Sequence, residues 1–286
     1  MDSVVVSTTL RGRATSRGRE RDAAVAHLRR LLPRLEHLGT AERPALPLGV
    51  AAVDACLPRG GLAADALHEI VPESYGDMPA AFGFLVALAG RLLAAQARAG
   101  DEAQAAPEAW DAPLLLVVSA RGLADCGRLY GPGLQTLGLD PGRLTLVEAG
   151  DERDALWALE EIATARAAPV AAGCLGADLD LTASRRLHLA AGTAGLPLLL
   201  LRPRGAEPAS AAATRWRIAA AAAGRDRFGS LRRPRWRAAL ARCRNGHPGA
   251  WVLEFDHAAH RFGLVSALAD HALPAGAGAR SAAGPA

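Results

Sequence analysis

The chain of 286 residues contains no lysine; all 33 of its basic side chains are arginines. That absence excludes any phosphate loop in which a lysine ammonium reaches the β- and γ-phosphates. Cysteine is scarce too. Cys56, Cys126, Cys174 and Cys243 are far apart with no C-x-x-C pair, which argues against a zinc site and a disulfide framework. Each reads as a small buried apolar residue. The eight histidines show no metal-ligand spacing. Ser74 is not in a G-x-S-x-G elbow, and no G-x-G-x-x-G follows a strand. No apolar run reads as long enough to span a membrane. The N-terminus, MDSVVVSTTLRGR, lacks the apolar core of a signal peptide. The expectation is a soluble, cytoplasmic protein without membrane contact, metal or cofactor.

Half of the residues are apolar, ample for a core, and the length fits one large domain or a domain with appendages. Charge is unevenly placed. Residues 1–43 carry 9 Arg and 5 acids, residues 44–199 carry 10 Arg and 19 acids, and residues 200–256 carry 12 Arg and 4 acids. An acidic body with basic ends points to segments that meet polyanions or acidic partner surfaces.

Residues 1–19 are polar, Arg-rich and expected to be disordered. From about Glu20 to Leu38 the helical spacing of Leu28, Leu31, Leu32, Leu35 and Leu38 predicts a helix, kinked by Pro33, with a narrow apolar stripe for docking on the body or on a partner. The core is placed at 44–272. Val53 to Leu57 reads as one helical turn, ended by the breaker cluster Pro58–Gly61. A helix is expected over Ala80–Ala97, an exposed loop over 98–111, and then an alternation of strands and helices. The strands are Pro113–Ser119, Arg143–Glu148, Val170–Leu175 and Pro197–Arg202. Between them lie a helix in Leu123–Leu137 broken near Gly131, a helix capped by Asp151, and one capped by Asp180 or Thr182. This order indicates a mostly parallel sheet covered by helices. Three strand-like runs follow without helices, Arg215–Ala221, Arg235–Cys243 and Ala250–Phe255. Asn245-Gly246 is a hairpin signal within this antiparallel extension of about 214–256. A flexible tail is expected over 273–286.

The centre of the chain is Leu67 to Leu85, LHEIVPESYGDMPAAFGFL. A short strand enters a Pro/Ser/Gly loop and then a helix starting near Met78, the layout of a phosphate loop. Over Val71, Pro72, Glu73, Ser74, Tyr75, Gly76, Asp77, Met78 and Pro79, the first glycine of G-x-x-x-x-G-K-[ST] is Val71 and the last is Gly76. Asp77 stands in the lysine position, and Met78 in the hydroxyl position. A carboxylate about 4 Å from a phosphate charge is repelled by roughly 4 kcal/mol at an effective dielectric near 20. Pro79 removes one N–H from the helical turn that would hold an anion.

Several segments carry a family resemblance: LPLGVAAVDACLPRGGL, LHEI, LYGPGLQTLGLDPGRL, DALWALEE, LDLTASRRLHLAA, TRWRI and PRWRAALARCRNGHPGAWVLEF. The chain resembles the ImuA family of RecA-like proteins, over roughly residues 41–270. The resemblance implies a RecA-like α/β core that has lost ATP hydrolysis. RecA's catalytic Glu falls on or near Arg121. Its Mg²⁺-binding acid falls in a strand that offers Ala172, Gly173 and Cys174, while Asp178 and Asp180 read as turn and cap residues. RecA's DNA-binding loops look curtailed. The resemblance implies a non-catalytic adaptor in the SOS DNA-damage response, supporting an error-prone translesion polymerase. The implied partners are an ImuB-like polymerase subunit, an error-prone replicative-type DNA polymerase, and RecA itself. The arginines Arg225, Arg227, Arg232, Arg233, Arg235, Arg237, Arg242 and Arg244 are candidates for a DNA or partner surface. Trp236 and Trp251 read as core residues of the extension. A DNA-stimulated ATPase and a SulA-type cell-division inhibitor are the competing readings.

Overall fold

The computed structural model describes residues 45–101, 113–124, 126–204, 209–224, 227–228 and 233–267. The leucines of the expected partner helix, Leu28 to Leu38, lie outside them, as do Arg225, Arg232 and the expected tail.

A nine-stranded sheet organises the described residues. A small antiparallel pair, β1 (Ala45–Leu46) and β2 (Leu62–Ala63), stands apart from it. The large sheet contains β3 (Leu67–Pro72), β4 (Leu114–Ser119), β5 (Leu144–Ala149), β6 (Val170–Cys174), β7 (Leu198–Leu201), β8 (Thr214–Ala221), β9 (Arg235–Cys243), β10 (Gly249–Asp256) and β11 (Arg261–Ala267). Their spatial order is β11-β10-β9-β8-β3-β7-β6-β4-β5. From β5 through β8 the neighbours run parallel, and from β8 through β11 they run antiparallel. The α/β class and the antiparallel extension are therefore as expected. Continuous apolar runs such as LLLL in β7 fit strands covered on both faces.

Five α-helices are described: α1 (Ala51–Asp54), α2 (Met78–Asp101), α3 (Gly131–Thr136), α4 (Glu152–Ala165) and α5 (Leu181–Ala194). One face of the sheet carries α2, whose Phe84, Leu85, Leu88 and Leu92 are fully buried in one core with Ile70, Leu116, Leu201 and the three tryptophans of the extension. The other face carries α4 and α5, with Leu159 and Leu187 packed against Val117, Leu198 and Leu200. The packing is close at Gly173, where a Cβ would stand 2.8 Å from a Leu159 methyl. Asp151 and Asp180 cap α4 and α5, accepting from the amides of Asp154 at 2.8 Å and Ala183 at 2.7 Å.

Four features differ from the sequence reading. The extension does not stop near Phe255: β11 adds a fourth antiparallel strand, placing Phe262 opposite Phe255. The reading between Leu123 and Leu137 reduces to a turn and α3, because Gly131-Pro132 suits a helix start rather than a break. The β1–β2 pair was hidden by its two-residue strands. It is locked by Gly61, where a Cβ would meet the Leu46 carbonyl carbon at 2.6 Å. Finally, the segment Tyr75–Gln96 is long and apolar enough to cross a membrane. Here its apolar face is spent on the sheet.

Candidate functional site

The loop after β3 keeps the phosphate-loop frame and spends its polar groups on itself. Val71 and Pro72 end a wholly buried strand. Glu73, Ser74, Tyr75, Gly76 and Pro79 are exposed, and Asp77 and Met78 are half-buried. Tyr75–Asp77 forms a tight 3₁₀ turn leading into α2. Gly76 is not among the glycines with positive φ. Ser74 and Asp77 form a reciprocal capping box: the Ser74 amide donates to the Asp77 carboxylate at 3.0 Å, and the Ser74 hydroxyl donates to the same oxygen. The other Asp77 oxygen accepts from the Ala220 amide at 2.9 Å, tying the loop to β8. The Asp77 amide donates to the Ser74 carbonyl at 3.1 Å, and the Glu73 amide donates to the Ile218 carbonyl at 2.8 Å. Three amides of the loop, those of Glu73, Ser74 and Asp77, are thus already bonded. Partial burial alone would raise the Asp77 carboxyl; the bonds from Ser74 and Ala220, with Arg237 nearby, outweigh it and hold it below the usual range.

The segments after β4 and β6 lie close together. After β4, Arg121 is exposed while Gly122 is buried, and a Cβ at Gly122 would meet the Cys174 carbonyl oxygen at 2.1 Å. A Cβ at Gly176 would meet the Arg121 Cβ at 2.3 Å. The turn after β4 therefore packs directly on the segment after β6, where a metal-binding acid would need room. Ser119 Oγ donates to Glu152 at 2.7 Å, and the Gly176 amide donates to the same carboxylate oxygen at 2.9 Å. The second Glu152 oxygen is buried without a hydrogen-bond partner. Ala172, Gly173 and Cys174 are buried in β6, and burial pushes the Cys174 thiol far up, so it is inert. No group of three or more His, Cys, Asp or Glu among the described residues could hold a metal ion.

Beneath the loop lies a charged cluster that the sequence reading missed. Glu69 is fully buried in β3 and accepts from Arg202 at 3.0 Å, Arg215 at 2.7 Å and the Ser210 hydroxyl at 2.7 Å. Arg202 also reaches Asp178 at 3.1 Å, so Asp178 anchors a buried arginine as well as standing in the turn. A glutamate inside the apolar strand LHEIV, with R-P at Arg202 and T-R-W at Thr214 downstream, was the available signal. His68, its neighbour, is structural as read: Nδ1 lies 2.8 Å from the Thr214 hydroxyl, and Nε2 lies 2.9 Å from the Ala63 carbonyl. Burial lowers its pKa to about 4, so the ring is neutral.

The tryptophans of the extension are core residues, with Trp216, Trp236 and Trp251 all buried. Trp236 donates to the Ala80 carbonyl at 2.8 Å, and its ring meets Phe84 edge-on at 5.8 Å. The described arginines of the extension are engaged with neighbours. Arg233 bridges Glu254 at 3.0 Å and Asp256 at 2.6 Å, and Arg235 holds Glu254 at 3.0 Å. Arg237 reaches Glu73 of the loop at 3.1 Å, and Arg242 donates to the Ser210 carbonyl. Arg227 stacks on the exposed Phe228 ring at 4.7 Å, and Arg244 follows β9, its amide donating to the Ala213 carbonyl at 2.8 Å.

No protein-family model matches the chain. Among curated proteins it is similar to Protein ImuA of Caulobacter vibrioides, in strains NA1000 / CB15N and ATCC 19089 / CIP 103742 / CB 15. Each match is 36% identical over 250 residues, spanning 80% of this chain and 91% of the relative. With that identity and coverage the chain belongs to the ImuA family.

Proposed function

We propose that this protein is a non-catalytic, RecA-fold adaptor of inducible mutagenesis, acting in the SOS response to help assemble an error-prone translesion polymerase. The observation that carries this reading is the Asp77 brace. The residue in the lysine position of a phosphate loop accepts hydrogen bonds from Ser74 and Ala220 instead, and so serves the fold. With the close packing at Gly122 and Gly176, three parts of phosphoryl-transfer chemistry lack their groups. ImuA-family membership supports the mutagenesis context. The partners of this reading are an ImuB-like polymerase subunit and an error-prone replicative-type polymerase, with RecA as a further one and the arginine-rich extension as a surface for DNA or for a partner.

Purification of the tagged chain from DNA-damaged cells, with partners identified by mass, tests it. Recovery of polymerase subunits is expected, and the double variant Leu31→Glu, Leu35→Glu abolishes that recovery while the core remains folded by circular dichroism. Recovery of a cell-division GTPase without polymerase subunits overturns the reading.

A further inference from the structure

The two edges of the large sheet differ. The ladder of β11 with β10 is broken by an irregularity between Val252 and Leu253, a common device against further strand pairing. The opposite edge, β5, pairs with β4 in unbroken register from Leu144 to Ala149. It contains no proline, and Thr145, Leu146 and Glu148 are exposed. Among the described residues β5 has one neighbour, and such a strand presents its remaining N–H and C=O groups outward, which is the template for strand addition. Beside this edge lies a cavity of about 580 Å³, lined by Leu123, Leu129, Leu146, Val118, Ser119 and Glu148 among others. Arg128 is the one basic side chain in its lining. Tyr130, 72% exposed, follows directly on Leu129.

Charge says what fits. Residues 140–161, which contain β5 and α4, carry seven acids against two arginines. Asp140, Glu148, Asp151 and Asp154 among them are exposed. We propose that β5 is a docking edge for an extended, Arg- or Lys-bearing segment of a partner protein. The segment adds as a tenth strand and seats one apolar side chain in the cavity beside Leu146. Main-chain bonds along the six residues of β5 give affinity, and the cavity and carboxylates select an apolar anchor flanked by positive charge. The inference stands apart from the adaptor reading, because it needs only the edge, the cavity and the charge.

The test uses the full chain and a fluorescein-labelled ten-residue peptide of alternating valine and arginine with a central phenylalanine. A second peptide carries glutamate for arginine. Fluorescence anisotropy is expected to show saturable binding of the basic peptide only. Leu146→Lys and Glu148→Arg are each expected to weaken it roughly tenfold, as for loss of an anchor or a reversed charge. Circular dichroism melts identify variants that fold, and exposed positions such as these tolerate change. Absence of binding, equal binding of both peptides, or binding untouched by both variants overturns the proposal. So does a wild-type dimer in sedimentation that Leu146→Lys converts to monomer, since a second copy then occupies the edge.

Discussion

Asp77 concentrates the chemistry of the loop in one side chain. It cannot serve a phosphate, because it repels the charge and because its oxygens are already engaged by Ser74 and Ala220. Asp77→Lys is therefore expected to restore the motif's letter without its function. Loss of the cap and of the tie to β8 lowers stability by about 1–2 kcal/mol, read as a shift in the urea midpoint, with no gain of ATP turnover. An unshifted midpoint contradicts the bracing role. His68 gives a second test. Its folded pKa of about 4 lies below the ordinary histidine value of 6.5, so folding favours the neutral ring. Above pH 6.5 both folded and unfolded forms are neutral, and the full stability is present. As pH falls from 6.5 toward 4 the unfolded chain takes up the proton first, and stability declines by on the order of 3 kcal/mol. A series of urea melts over that window is expected to show the decline in the wild type and a flatter profile in His68→Gln. Equal slopes would remove His68 as the cause.

The strands and helices form because apolar runs and caps agree with the topology. Asp151 and Asp180 begin α4 and α5, and LLLL fills β7 between two covered faces. These elements were legible in the sequence because each signal is local. What was not legible depends on neighbours distant in the chain. The strand β11 is recognisable as a strand chiefly through Phe262 meeting Phe255 and the Phe84 ring. The charged cluster joins β3 at Glu69 to Arg202 after β7 and Arg215 in β8, positions more than 130 residues apart from Glu69. A carboxylate that neutralises two buried guanidiniums cannot be removed cheaply. Glu69→Gln is expected to destabilise by about 3–5 kcal/mol, because it removes the buried carboxylate that Arg202 and Arg215 share. A thermal or urea melt measures it. A loss below about 1 kcal/mol contradicts the view that the cluster holds β3, β7 and β8 together.

At the scale of the whole molecule, an α/β sheet of the kind that binds ligands at the ends of its parallel strands has the end of β3 filled with its own groups. The loop after β3 bonds to β8, the turn after β4 packs on the segment after β6, and Arg237 of the extension reaches back to Glu73. The missing lysine was visible in the composition, and so was the aspartate in its place. The physical use of that aspartate, as a brace between a loop and a strand 143 residues away, required the fold. Among the described residues β5 pairs on one side alone, with β4, which gives the proposed docking edge. The most direct measurement is ATP turnover by the purified full chain with Mg²⁺, in the absence and presence of single-stranded DNA. The predicted result is phosphate release indistinguishable from a protein-free control in both conditions. DNA-stimulated turnover that falls when Asp77 or Arg121 is substituted would contradict the account.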